Sequence, residues 1–405
     1  MSEHARQPAA AESAASPWRE IVTSFFKVGS TAYGGPAILG MLQAEFQEAR
    51  QWVTKPRFLE GVALVNVLPG ATMVQLSIFL GYVRAGWRGG LLAGLCFSVP
   101  GFVVMLALAL AYATLGVHPM VRGALYGLGP VVLGVFVLAV YRLGSSVLRA
   151  LPHRLIAIAA ALAALASPLG TVTILLLAGA VGLFLFHSRR LGGVALLALA
   201  AALVGIALLR WNVAVLPGAP GETPGLGSLV ALFSTIGAFT FGGGLSMIAL
   251  MEEQVVRRLH WLSPEEFIAG LALGQLTPGP ILMVAAYVGY KLHGAVGALA
   301  GALAMFLPSF VVTLAVLPLF DRMRSLAWAR AVIQGVVPAV IGVMAIAILR
   351  MWRSAAPDPL ATLVLVATVA VLHLSRVTPM KAMLGGAAVG VLRSRLVALG
   401  AWARP

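Results

Sequence analysis

Residues 32–36 read AYGGP and residues 240–244 read TFGGG, each inside a long apolar stretch. Consecutive glycines are poor helix formers, so each stretch is read as a helix interrupted within the membrane. Such an interruption leaves backbone N–H and C=O groups open, at several kcal/mol each unless protein or water meets them. The recurrence of the break decides how the rest of the chain is read.

Around the two breaks the chain repeats itself. At a shift of 208, Gly29 meets Gly237, Glu45 meets Glu253 and Arg50 meets Arg258. After one inserted residue, Trp52 meets Trp261, Phe58 meets Phe267, and Pro69-Gly70 meets Pro278-Gly279. The first shift then returns: Pro100 meets Pro308, Phe102 meets Phe310, and Pro130, Gly134 and Arg142 meet Pro338, Gly342 and Arg350. Ordered matches at Gly, Pro, Trp, Glu and Arg are not explained by apolar composition, and an internal duplication follows.

Apolar residues make up 60% of the chain and charged residues 10%. That excludes an ordinary soluble domain. Runs such as Ala93–Leu115, Leu175–Phe186 and Leu360–Leu374 are continuous, not alternating, which points to helices and away from a β-barrel. The fold class is therefore all-α: a polytopic membrane protein of two six-helix repeats, with broken or re-entrant helices. The boundaries read as a disordered tail over 1–19, a first repeat over 20–187, a linker over 188–227, a second repeat over 228–395 and a tail over 396–405. Within the first repeat the units run 20–49, 56–86, 88–115, 119–142, 146–166 and 169–187. One further helix, 192–209, makes about thirteen segments and turns the second repeat upside down relative to the first.

The net charge of +15 sits largely at helix ends, where Lys and Arg anchor loops, so nucleic acid is not expected as a partner. If each broken unit crosses the membrane, Arg257 and Arg258 join the N-terminal face, and Arg50, Lys55 and Arg57 the opposite one. The N-terminal face then carries the excess and reads as cytoplasmic. The single cysteine, Cys96, excludes an intramolecular disulfide, and no metal or cofactor is implied. Neither a nucleotide loop of the GxxxxGK[ST] type nor an HExxH or nucleophile-elbow motif occurs, so neither ATP coupling nor catalysis is expected.

A half-helix that starts inside the membrane presents open N–H groups and a partial positive charge, which suits an oxyanion. The candidate substrate residues are Gly34, Gly35, Gly70, Gly242, Gly243, Gly244 and Gly279 at the breaks. Asn66, Gln275 and Thr277 beside them can donate hydrogen bonds, as can Thr31, Thr240 and Tyr33. Lys27 would add charge at depth. The competing reading is close helix packing for the glycines and interhelical bonding for the amides. Pro36 suits the start of a half-helix; TFGGG lacks that proline, so the second break is expected to be the looser. Glu45 and Glu253 are read in two ways: as partners of Arg50 and Arg258, five positions on, or as gating or proton-coupling groups.

FFKVGSTAYGGP (25–36), LPG (68–70), GYVRAGWRGG (81–90) and SVPGF (98–102), with FSTIGAFTFGGG (233–244), TPGP (277–280), GYKLHGAVGALAG (289–301) and LPSF (307–310), form a set. Together they resemble the chromate ion transporter family, in particular its long-chain, two-domain bacterial members, over nearly the whole chain after residue 20. The resemblance implies export of chromate across the bacterial inner membrane and chromate resistance, with sulfate as competitor. Sulfate or another tetrahedral oxyanion is the alternative substrate. The expected partners are the anion, the lipid bilayer and, in a homodimer, a second copy of the chain.

Overall fold

The computed structural model describes residues 16–33, 35–116, 118–167, 169–208, 224–241, 244–319, 327–375 and 377–398. They form fifteen α-helices, with short π and 3-10 turns. The first repeat holds α1 (Pro17–Thr31), α2 (Gly35–Leu42), α3 (Lys55–Val67), α4 (Thr72–Leu115), α5 (Pro119–Val147), α6 (Leu151–Ala166) and α7 (Thr171–Phe186). Then come α8 (Arg189–Leu208) and the second repeat's α9 (Leu226–Ala238), α10 (Leu245–Met251), α11 (Pro264–Leu276) and α12 (Val284–Val316). The last three are α13 (Ala327–Ala355), α14 (Pro359–Leu374) and α15 (Pro379–Ala398). Among the described residues, four stretches are long and apolar enough to cross a membrane: Thr72–Leu115, Pro119–Val147, Ile281–Val316 and Ala327–Ala355.

The broken units do not cross; they turn back. Phe25 on α1 stacks on Phe46 beyond the break at 4.3 Å, and Lys27 reaches Glu45 at 3.4 Å. Only an antiparallel hairpin brings residues on either side of the break together in that order. Gly61 of α3 likewise lies against Phe79 of α4, across the Pro69-Gly70 break. The equivalent Gly270 lies against Tyr287, and Gly274 against Val284. Arms of 13 to 15 residues are about 20 Å long, so their tips reach the interior of a ~30 Å hydrocarbon layer.

α4 is itself two helices. Ala85 and Gly86 leave helical geometry, with φ +64° at Gly86, and the chain reverses so that Gly81 touches the backbone of Gly89. α12 repeats this at His293-Gly294, with Gly289 against Gly297. A side chain larger than hydrogen at these crossings would strike main chain.

The two repeats are interlocked. α5 packs against α14 and α15, and α13 packs against α6 and α7, so the last two helices of each repeat sit on the fifth helix of the other. Small residues permit it: Gly127 meets Gly386 and Gly123 meets Gly390, while Gly335 meets Ala178 and Gly182 meets Ala331. Arg142 Nη2 donates to Leu372 O at 2.9 Å, and its counterpart Arg350 Nη2 donates to Ala164 O at 2.5 Å. These reciprocal contacts define an approximate twofold axis in the membrane plane and an inverted second repeat.

Re-entry corrects the distribution of charge. Arg84 pairs with Glu20 at 2.9 Å and lies 5.5 Å from the Trp52 ring, so Arg50, Lys55 and Arg57 share the face where α1 begins. Glu253 accepts from Thr171 N–H at 2.6 Å at the opposite end, which carries Arg257 and Arg258 there. Among the described residues the N-terminal face holds Arg19, Arg50, Lys55, Arg57, Arg84, Arg88, Arg142, Arg149, Arg154, Arg189, Arg190, Arg330 and Lys381. The other holds Arg122, Arg257, Arg258, Lys291, Arg350, Arg353, Arg393 and Arg395. Thirteen stand against eight, a stronger bias than full crossings would give.

Candidate functional site

The four hairpin tips meet at the centre of the molecule. Gly279 N–H donates to Ala32 O at 2.8 Å, and Gly70 N–H donates to Thr240 O at 2.8 Å. Ala32 and Thr240 are equivalent by the repeat, as are Gly70 and Gly279, so each Pro-Gly tip bonds the glycine break of the other half. Tyr33 and Gly279 continue the contact as an isolated parallel bridge. Gly70 and Gly279 have φ of +128° and +87°, and Gly244 has +96°, values that favour glycine.

The helices that begin at these tips lack side-chain caps. Ala71 before α4, Gly244 before α10 and Pro280 before the turn into α12 make no capping bond. At the faces the starts are mixed: α1, α3, α5, α11 and α14 are capped by Ser16, Thr54, His118, Ser263 and Asp358, whereas α6, α7 and α9 have no side-chain cap. First-turn N–H groups have no intrahelical partner. At the centre Gly70, Gly279 and Ala71 N–H are met by Thr240 O, Ala32 O and Ser309 Oγ.

Among the sequence candidates, Gly34, Gly242 and Gly243 lie outside the described residues. Gly35 opens α2. Asn66 is exposed and Gln275 half-buried. Thr277 is buried, but its hydroxyl donates to Leu273 O at 2.8 Å; Thr240 and Thr31 donate likewise to Ile236 O and Lys27 O. These hydroxyls close the last turn of the preceding helix and do not point a proton at a ligand. Lys27 is largely exposed and engaged with Glu45.

Two further residues belong to the centre. Ser309 Oγ, fully buried on α12, accepts from Ala71 N–H at 2.7 Å. Gln75, also fully buried, donates from Nε2 to Pro69 O at 2.7 Å, and its Oε1 has no partner among the described residues. Ser309 stands where the first repeat has Gly101, inside the SVPGF and LPSF segments. A polar residue opposite a glycine at a repeated position was the signal available for it.

The described residues that flank the second break are closely held. Thr240 is fully buried, and Ser246 ties the turn by accepting from Phe241 N–H at 2.7 Å and donating to Phe241 O at 2.9 Å. Ser246 replaces the stiffness that proline supplies in the first break. Beside it an apolar cavity of about 340 Å³ lies between α7, α8, α13 and the rings of Phe239 and Phe241. Without polar donors that cavity does not suit an anion.

Glu45 bonds Arg50 Nε at 2.8 Å, and Glu253 pairs with Arg258 at 2.9 Å. Both acids lie in π turns, Gln43–Ala49 and Glu252–Arg258. In α geometry a residue five positions on points away; a π turn, bonded i to i+5, stacks the two.

Paired re-entrant hairpins, inverted about an axis in the bilayer and touching tip to tip, define a class of polytopic membrane transporter. The chain belongs to the chromate transporter family, whose model matches residues 19–183 and 227–391. It is 29% identical over 388 residues to a chromate transport protein of Cupriavidus metallidurans, covering 92% of each chain. It is 30% identical to a probable chromate transport protein of Synechococcus elongatus, over 84% of this chain and 86% of that one. A chromate transport protein of Pseudomonas aeruginosa is 31% identical, over 80% of this chain and 79% of its own. No solved structure matches it.

Proposed function

We propose that the protein exports chromate from the cytoplasm across the bacterial inner membrane and so confers chromate resistance. Supporting this is the pairing of the hairpin tips across the two repeats, where α4, α10 and the turn into α12 begin without a cap from the residue before them. The anion is held there by main-chain donors of α2, α4, α10 and the turn into α12, with Gly35, Gly70, Gly244 and Gly279 keeping side chains out of its way. Asn66 and Gln275 contribute amide donors near it. Glu45 and Glu253, held by their arginines, act as gates that open when those pairs break.

The thirteen-to-eight excess of Lys and Arg supports a cytoplasmic N-terminal face. An interior-negative potential then drives a dianion outward with about 4.6 kcal/mol per 100 mV, twice the single-charge value. Everted membrane vesicles bearing the protein should accumulate labelled chromate faster than vesicles without it, and sulfate should compete. Equal accumulation would remove the export reading; stronger uptake of sulfate than chromate would make sulfate the substrate.

A further inference from the structure

We propose that Glu252 is a proton-carrying carboxyl whose protonation is linked to each transport cycle, a role that rests on the transport reading above. Glu252 is 4% exposed, and its Oε2 has no hydrogen-bond partner among the described residues. Arg350 Nη1 stands 3.9 Å away, beyond bonding distance. A carboxylate buried without a donor is unstable as an anion and is relieved by taking a proton.

The repeat separates this carboxyl from structural need. Arg350 closes the end of α6 through Ala164 O, and Arg142 closes the end of α14 through Leu372 O in the same way. Where Glu252 stands beside Arg350, the first repeat has Ala44. The cap forms without a carboxyl, so the acid is an addition made in one half only. Its neighbour Glu253 differs in kind, with Arg258 and Thr171 N–H both bound to it.

The charges acting on Glu252 are Arg350 from α13, and Arg257 and Glu253 from its own turn. α7, α10 and residues 167–171 contain no titratable side chain. On α11, Glu266 is engaged by Lys291 at 2.7 Å and by the Ser263 capping box. Glu252 follows directly on α10, the arm that begins at the second break. Movement of that arm therefore changes the distance to Arg350. Approach to bonding distance ionises the carboxyl, and retreat lets it take a proton from water at the outer face.

The test uses the full chain in proteoliposomes with labelled chromate outside and a pH-sensitive dye inside. Wild type and Glu252→Gln are compared at each pH, so that changes in the anion itself cancel. Wild type should show a rate that varies several-fold across the neutral range, with proton movement. Glu252→Gln should still carry chromate, with a flat profile and no proton movement. Glu252→Ala, which installs the side chain of Ala44, should behave alike and serves if the glutamine variant does not accumulate. A variant that keeps the wild-type profile, or a wild type that carries chromate without protons, overturns the proposal. A wild type that carries no chromate refutes the export reading instead. The infrared carbonyl band of a protonated acid, present in the wild type and missing from Glu252→Gln, then supports protonation of Glu252, and a band unchanged by the substitution overturns it.

Discussion

The two breaks share a plan and differ in what surrounds them. At the first, Thr31 and Tyr33 are exposed; at the second, their counterparts Phe239 and Phe241 line an apolar cavity roofed in part by α8. α8 has no counterpart in the other half. Lys27, exposed beside the first break, corresponds to the uncharged Thr235. Duplication thus supplied one backbone design, and divergence made one copy polar and open and the other apolar and closed. An inverted repeat with unequal halves offers different surroundings to an anion approaching from each side.

The largest effect should come at the Pro-Gly tips. A Cβ at Gly70 would meet Ser309 Oγ at 2.5 Å and Gln75 Nε2 at 2.7 Å, on top of its φ of +128°. At Gly279 the nearest atoms are 3.8 Å and 4.0 Å away, leaving only the strain of φ +87°. Gly70→Ala should therefore cut chromate transport by about a hundredfold, the scale at which a misplaced site fails, while Gly279→Ala retains measurable flux. Vesicle uptake at matched membrane levels decides; equal losses would show that the tips do not differ.

A smaller effect separates Ser309 from Gly101. Ser309→Ala leaves the buried Ala71 N–H without its acceptor, at about 1–3 kcal/mol. In Gly101→Ala the new methyl would lie 2.6 Å from Pro278 O, and overpacking costs about 1–3 kcal/mol. The two should lower thermal stability in detergent by similar amounts but through opposite errors. A double variant, Gly101→Ser with Ser309→Gly, would show whether the halves can exchange roles; stability no lower than that of either single change would sharpen the equivalence.

The smallest effect lies at the repeated acids. Glu253→Gln keeps an acceptor for Thr171 N–H but removes its charge, at about 1 kcal/mol, the gap between a charged and a neutral hydrogen bond. Glu45→Gln disturbs a more exposed pair with Arg50 and Lys27, worth about 0–1 kcal/mol. Melting of the two variants side by side checks the order, and reversal would mean that the first half bears more strain than its exposure suggests.

Much of this architecture was legible in sequence because rare residues carry it. Gly, Pro, Trp and Arg repeated at a fixed shift revealed the duplication, and runs of apolar residues gave the helices. The glycine and Pro-Gly pairs marked the tips. Re-entry was not legible: a 30-residue apolar unit with a central break reads equally as a crossing or a hairpin. The choice is made by tertiary pairs such as Phe25 with Phe46 and Gly61 with Phe79. That ambiguity misplaced Arg50, Lys55, Arg57, Arg257 and Arg258 while leaving the sign of the charge bias intact. Ser246 was missed because it bonds Phe241, five residues away, whereas proline acts locally. Glu252 escaped because repeat matching favours residues that recur, and its counterpart is Ala44.

The exchange of terminal helices between the halves bears on how such a chain could arise. A single ancestral repeat made alone would expose the flank of its fifth helix until an upside-down copy supplied two helices to cover it. That copy has to enter the bilayer the other way up, so the ancestor must have tolerated both insertions. In the present chain α8, the helix with no counterpart, lies between the two orientations in one polypeptide.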